Sequence, residues 1–404
     1  MLPVIQVFFD RLTTVLFSAT LAFTFCGLFL LPDGKTILAN MLVISILVGI
    51  VNLIIGKSRD VGLHDRRILW LFLGYAAFIF INRLIHGDQY GVMRSLVYVV
   101  LFGLLVPRRE IVLKVSRYAI IAGGVGMGLI SLWQQSHGIY RVEGFTNAIL
   151  FSQASLVIAL LAWGLYKETS IARWEKVGAL LSVLMALYSL YASQSRGVWL
   201  AFMTIVGLIV LVKAMKKPLK YILFLLLILG SGAFFYNQSS VLQERVQASI
   251  SDISNAEKGV YGTSWGLRLV AWQGAWQGFL TSPVIGVGTD GFDITKQSLV
   301  ESGVSTPLLL DSQLTHSHNQ YMQSLIIRGA VGGVVLLLFL GLPIWWAWKE
   351  WGGLSSGVFL PLCFVISGMS DVPFEHQSVL YLYVLSMMFC FYKNDLLDKN
   401  YIEK

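Results

Sequence analysis

Few residues in this 404-residue chain are equipped for chemistry at neutral pH. His318 sits in the run Thr315-His316-Ser317-His318-Asn319-Gln320-Tyr321, where a long polar connection meets an apolar run. An imidazole has an unperturbed pKa near neutrality, so at such a boundary it suits general-base work on a hydroxyl. A histidine that only makes a loop hydrogen bond would have the same local composition. Three arginines fall on the same face once the spans are assigned: Arg141 in Tyr140-Arg141-Val142-Glu143-Gly144, Arg196 in Ser193-Gln194-Ser195-Arg196-Gly197, and Arg268 in Gly266-Leu267-Arg268-Leu269. A guanidinium is always charged and grips two phosphate oxygens with paired donors, which suits a pyrophosphate better than lysine does. Binding lipid headgroups and snorkelling are the ordinary alternatives for arginines at a membrane surface. Arg328 lies inside an apolar run ten residues past His318. An unpaired charge there is costly, so a partner such as Asp371 or a place lining a cavity is expected.

Other patterns exclude chemistry. Gly286-Val287-Gly288-Thr289-Asp290-Gly291 resembles a phosphate-cradling loop, but with no strand before it and no proper helix expected after it, it reads as a loop turn. No G-x-x-x-x-G-K-[ST] motif is present, so nothing points to direct use of ATP. No His/Cys or paired-carboxylate cluster has convincing metal spacing; no metal and no cofactor are expected. Cys26, Cys363 and Cys390 all lie within apolar runs and read as packing residues.

The elements that must position these residues are membrane spans. The chain is 56% hydrophobic and 13% charged, about half the charged fraction of a soluble domain. Apolar runs near residues 12–31, 37–55, 68–84, 91–106, 111–133, 147–166, 174–192, 197–213, 218–236, 320–347, 354–371 and 378–392 are each of span length, about twelve in all. The first has only a weak basic flank and no A-x-A-like cleavage site, so it is expected to stay as a helix. The formal charge of +8 gathers in short loops, which is the pattern of membrane topology; no nucleic-acid partner is expected. With a cytoplasmic N-terminus, the inner loops hold Lys57, Arg59, Arg66 and Arg67, then Arg108 and Arg109, then Lys167, Arg173 and Lys176, then Lys213, Lys216, Lys217 and Lys220.

One connection, from Asn237 to about Ser317, is much longer than the rest and falls on the outer side. Leu242, Val246, Ile250 and Ile253 repeat at helical spacing, as do Leu269, Trp272, Trp276 and Leu280, so two amphipathic helices at the membrane surface are expected. Four basic residues stand against seven acidic ones in this loop, so an arginine binding phosphate there acts individually. The organisation is residues 1–236 with nine spans, 237–319 as an outer loop, and 320–404 with three spans and a cytoplasmic tail.

His318-Asn319, nine residues, then Gly329-Ala330-Val331-Gly332 matches the histidine-plus-glycine signature of the bacterial O-antigen ligase family. The chain also resembles that family, which is related to the O-antigen polymerases, in its number of spans, its large outer loop, the arginines Arg196 and Arg268, and Asp371 in Ser370-Asp371-Val372-Pro373. The two glycines share one helix face and would also allow close helix approach. The resemblance implies an all-α polytopic membrane protein similar to the GT-C type glycosyltransferases, in the bacterial inner membrane with both termini cytoplasmic and a periplasmic active site. It implies lipopolysaccharide biosynthesis: transfer of O-antigen polysaccharide from undecaprenyl pyrophosphate to lipid A-core, inverting and metal-independent. His318 would be the base, Arg196, Arg268 and Arg141 would bind pyrophosphate, and Asp371, Arg328 and Asn319 would support them, Asp371 by orienting His318 or the acceptor. An O-antigen polymerase would use the same donor. A lipid or sugar transporter, the less favoured alternative, would place its ionisable residues near mid-membrane and show repeat symmetry, whereas here the informative residues gather at the outer ends of spans and no convincing inverted repeat stands out.

Overall fold

The computed structural model describes residues 2–55 and 60–402, and is helical throughout those residues apart from turns and one isolated bridge. The inner-loop residues Lys57 and Arg59 lie outside the described residues. Each apolar run has become a helix: α1 (Leu2–Cys26), α2 (Gly34–Ile55), α3 (Arg67–His86), α4 (Tyr90–Leu105), α5 (Glu110–Ser136), α6 (Ala148–Tyr166), α7 (Arg173–Ala192), α8 (Arg196–Ala214) and α9 (Pro218–Gln238). Then come the connection's α10 (Ser240–Glu257), α11 (Ser264–Thr281) and α12 (Gly288–Glu301), and after them α13 (Gln320–Trp351), α14 (Ser356–Ser367) and α15 (Gln377–Ile402). Among the described residues nine helices are long and apolar enough to cross a membrane: α1, α2, α3, α5, α6, α7, α8, α9 and α13. The apolar helices α4 and α14, at 16 and 12 residues, are shorter than a full crossing.

Two helices form the axis of the bundle. In α6, 83% of the apolar window is buried inside the protein, and in α15 every residue from Val379 to Leu385 is at most 1% exposed. A helix apolar on all sides is stable only where neighbours enclose it. The outer helices turn their other faces outward: Leu223, Leu226 and Leu227 of α9 are 59–64% exposed, as expected of side chains whose solvent is lipid.

The connection holds three helices where two were expected. Ser239 caps α10 by accepting from the Leu242 amide, and Thr263 caps α11 by accepting from Gly266, each satisfying a first-turn donor. The apolar stripes are oriented differently from a soluble protein's. Val246, Ile250 and Ile253 of α10 and Trp276 and Leu280 of α11 are exposed, while α11 buries Gly266, Val270, Ala271, Gly274, Ala275 and Gly278. A face of small residues lets α11 approach α13 closely and leaves the large apolar side chains outward, as on a helix lying at a bilayer surface.

The G-x-x-G step also differs from its expected form. Gly329 has φ 64° and ψ −165° and interrupts α13, so the two glycines do not line one continuous helix face. A side chain at Gly329 would collide with the Val284 backbone. The peptide groups freed by the break pair with residues 283–287 instead: Ala330 N donates to Pro283 O at 2.8 Å, and Val287 N to Ile326 O at 2.8 Å. The turn at Gly286–Gly291 does lead into a helix, α12, contrary to expectation, and its amide at Thr289 donates to Gly87 O at 3.2 Å. That amide is spent on holding α12 against the end of α3.

Candidate active site

At the end of the bundle that carries α10–α12, α13 begins at a fixed point. Asn319 is its N-cap: Oδ1 accepts from the Tyr321 and Met322 amides at 2.9 and 3.1 Å, and Nδ2 donates to Met369 O at 3.1 Å. Gln320 N donates to Gly368 O at 2.7 Å, and the Tyr321 hydroxyl donates to Val365 O at 2.7 Å. Asn319 therefore ties the residue before it, His318, to the turn that carries Asp371. Gly197 completes the fit, since a side chain there would occupy the place of the Ser370 hydroxyl.

His318 has φ 47°, a left-handed conformation uncommon outside glycine and often found at functional sites. Its Nε2 lies 3.3 Å from Gln313 O. A carbonyl can only accept, so the ring proton belongs on Nε2 and the lone pair on Nδ1, which is buried and has no hydrogen-bond partner among the described residues. Burial pushes the pKa of His318 down; the Gln313 carbonyl and Asp371 oppose this, and Arg268 and His376 add to it. The ring is neutral at pH 7. His316 stacks edge-on at 4.2 Å, and burial together with His318 and His376 pushes its pKa down to about 3. His376 lies 6.0 Å from His316.

Asp371, 4% exposed, accepts from Gln153 Nε2 of α6 at 3.0 Å. One ligand atom each of His316, His318 and Asp371 lie within 4.8 Å of one another. The expectation that no metal-ligating cluster exists is thus corrected in geometry: the fold assembles two imidazoles and a carboxylate that are 53 residues apart in sequence. Asp371 acts electrostatically on His318.

The arginines gather beside this group. Burial and the neighbouring Arg245 and Arg268 push Arg141 below the ordinary arginine value, with Arg196 adding to the effect. Burial does the same to Arg268, which Asp371 opposes and Arg196 assists. Mutual repulsion of this kind marks an accumulation of positive charge that an anion would relieve. The three predicted arginines differ in availability. Arg268 makes no hydrogen bond or ion pair among the described residues, and Arg141 donates only from Nε, to Ser193 O at 3.1 Å. Arg196 is engaged: both Nη atoms lie 3.1 Å from Asp252 Oδ2, and Nη1 is 3.0 Å from Ser249 Oγ. Arg245, which sequence reasoning did not select, joins the group and bonds the Gln194 side-chain carbonyl at 3.0 Å from Nε.

Arg328 does not pair with Asp371. Its Nε and Nη2 bond Asp88 at 2.8 and 2.7 Å, and Nη1 bonds Glu375 at 3.0 Å, with side-chain exposures of 1%, 0% and 5%. The reason is position along the helix: Arg328 is the ninth residue of α13, carried by its first turns away from the His318 end. Asp88, in the turn between α3 and α4, and Glu375, just past Asp371, come to it from two sides. Burial alone would raise Asp88; the charge and hydrogen bonds of Arg328 hold its carboxyl below the usual range. Gln320 joins the triad to the active end, with Nε2 3.4 Å from Glu375 and Oε1 accepting from Phe374 N at 2.9 Å.

The fold and site define a multi-pass helical membrane protein with a neutral imidazole, a buried carboxylate and a group of arginines at one end. Residues 180–337 match the family model described as O-antigen ligase. That stretch includes Arg196, Arg268, His318, Asn319 and Arg328; Arg141, Asp371, Asp88 and Glu375 lie outside it. An uncharacterized protein of Haemophilus influenzae is 24% identical over 363 residues, spanning 83% of this chain and 88% of the relative.

Proposed function

We propose that the protein transfers O-antigen polysaccharide from undecaprenyl pyrophosphate to lipid A-core at the periplasmic face of the bacterial inner membrane. The observation that carries this reading is the neutral His318, with its lone pair on an unpartnered Nδ1, beside Arg268 and Arg141, which have no ion-pair partner among the described residues. His318 Nδ1 accepts the proton of an acceptor sugar hydroxyl as the oxygen attacks the anomeric carbon. The bond from that carbon to the donor's phosphate oxygen breaks, and undecaprenyl diphosphate departs with the electron pair. Arg268 and Arg141 stabilise the departing charge, so no proton need be delivered to it. One displacement inverts the anomeric configuration. Nδ1 is shielded in this state, so the acceptor enters as the segment Gln313–His318 shifts; the strained backbone at His318 favours such a shift. Asp371 sustains the basicity of His318, and the membrane confines both lipid-anchored substrates near one site.

The positive-inside pattern supports cytoplasmic termini and a periplasmic His318. An O-antigen polymerase reading shares every donor contact and differs in the acceptor. The test is purified protein in detergent with a polyprenyl-pyrophosphate glycan and lipid A-core, with chelator and without ATP, scored by acceptor mobility on gels. Ligation by the wild type, lost in His318→Ala and Arg268→Ala, is expected. Lengthening of the donor glycan with lipid A-core untouched would make the protein a polymerase. Activity lost on chelation and restored by a divalent ion would give His316, His318 and Asp371 a metal to hold and overturn the metal-free mechanism.

A further inference from the structure

At the end of the bundle opposite His318, two cavities meet at Trp163. One, of about 430 Å³, is an apolar slot between α6, α7 and α8, walled by residues such as Leu160, Leu187, Phe202 and Ile209. It closes at Lys213, Lys220 and Tyr221, and both ammonium groups stand 5.9 Å from the Tyr221 ring centroid. The other, of about 710 Å³, lies on the far side of Trp163 and is bordered by Trp348, Trp351, Lys167, Lys216 and Lys393.

Cations outnumber anions here. Among the described residues Lys213, Lys216 and Lys220 have no ion-pair partner, and the nearby carboxylate, Glu168, is already shared by Arg117 and Lys393. Lys167 spends its ammonium on Leu354 O at 2.8 Å, and burial with Lys213 and Lys393 nearby lowers its pKa, so these lysines act on one another. The positive-inside rule accounts for lysines in loops at this end. It does not account for an apolar slot that ends in them, a shape suited to a molecule with an acyl chain and an anionic head.

We infer that this slot is a binding site for an anionic phospholipid of the inner leaflet, with one acyl chain between α6, α7 and α8 and its phosphate held by Lys213 and Lys220 beside the tryptophan-lined chamber. The inference uses the span orientation and is independent of the transfer reaction. Its test is fluorescence of the full-length protein in uncharged detergent, titrated with brominated phosphatidylglycerol, whose bromines quench nearby tryptophans. A saturable quench is expected in the wild type and should be much reduced in Trp163→Phe. Lys213→Gln with Lys220→Gln should weaken it about 30-fold at low salt. Val206→Phe, which narrows the slot without changing charge, should also reduce it. The lysine variants are surface changes and should keep the wild-type thermal midpoint in lipid-free detergent, so the test does not depend on the slot-filling variant folding. Equal quenching by brominated phosphatidylcholine, full competition by inorganic phosphate, or undiminished binding by the double lysine variant would each overturn the assignment.

Discussion

Arg328→Leu strands two buried carboxylates, Asp88 and Glu375, at side-chain exposures of 0% and 5%. Removing one partner of a buried ion pair typically costs about 3–5 kcal/mol, because the remaining charge stays desolvated. Protonation limits that loss: neutralising a carboxyl with an unperturbed pKa near 4 costs about 1.4 kcal/mol per pH unit, or roughly 4 kcal/mol at pH 7. The sign of the pH dependence follows. In the wild type the depressed pKa of Asp88 contributes stability that is fully present above the unfolded carboxylate value and is lost only as pH falls through the folded one. Between pH 7.5 and 5.5 the wild type is therefore little affected by this group. In the variant the folded protein takes up a proton that the unfolded chain does not hold, so it recovers about 1.4 kcal/mol per pH unit for each such proton. Unfolding in mixed micelles with increasing denaturing detergent should show a loss of about 3–5 kcal/mol at pH 7.5 that shrinks by roughly 3 kcal/mol at pH 5.5. The triple variant Asp88→Asn, Arg328→Leu, Glu375→Gln should regain most of the loss, since no charge is then stranded. A loss under about 1 kcal/mol, or one equal at both pH values, would refute the view that this triad is a closed, desolvated clamp.

His318→Ala should lower the transfer rate by about 10²- to 10⁴-fold with the fold intact. Because burial lowers the pKa of His318, the wild-type rate should hold below the ordinary histidine value near 6.5 and fall only as pH drops through the lowered one; a pH–rate profile with its acid limb above 6.5 would contradict this. Arg268→Lys should keep the charge but lose the paired donors, giving activity between wild type and Arg268→Ala, with the deficit seen in kcat/KM for the donor. Asp252→Asn should free Arg196 for the donor and lower the donor KM about two- to fivefold, a modest effect because the pair is partly exposed; a raised KM would show that Asp252 holds Arg196 in its working position.

The apolar helices were legible because long apolar runs are local signals. His318 and Asn319 were legible because the histidine, the helix N-cap and the glycine at the break are consecutive features of one segment. The break itself was not, since φ at Gly329 is set by the Val284 backbone packing against it. Helix α12 was hidden because GTDGFDITKQSLVE opens with two glycines in its first turn, which read as a loop turn. Asp88 and Glu375 are single carboxylates in short turns, 240 and 47 residues from Arg328, and His376 joins the imidazoles only through the turn after α14. Such long-range pairings carry no periodicity from which to infer them.

The two charged groups at this end of the bundle are balanced in opposite senses, and that difference bears on which of them can accept an anion. Around Arg328 two carboxylates enclose one guanidinium at near-zero exposure, with Asn82 donating to Asp88 at 2.9 Å and Gln320 reaching Glu375. All three guanidinium nitrogens are already engaged by carboxylates, and admitting a further anion would place like charges together in a desolvated space. Around Arg268, four arginines act on one another, Asp252 is committed to Arg196, and Asp371 is bonded to Gln153. That group gains by accepting an anion, as the Arg328 clamp does not. A diphosphate bound there would carry its sugar toward His318, because Arg268 and Asp371 both act electrostatically on that imidazole. On the proposed reading, the clamp's contribution is to hold fixed the start of α13, next to His318, while negative charge accumulates on the arginine side.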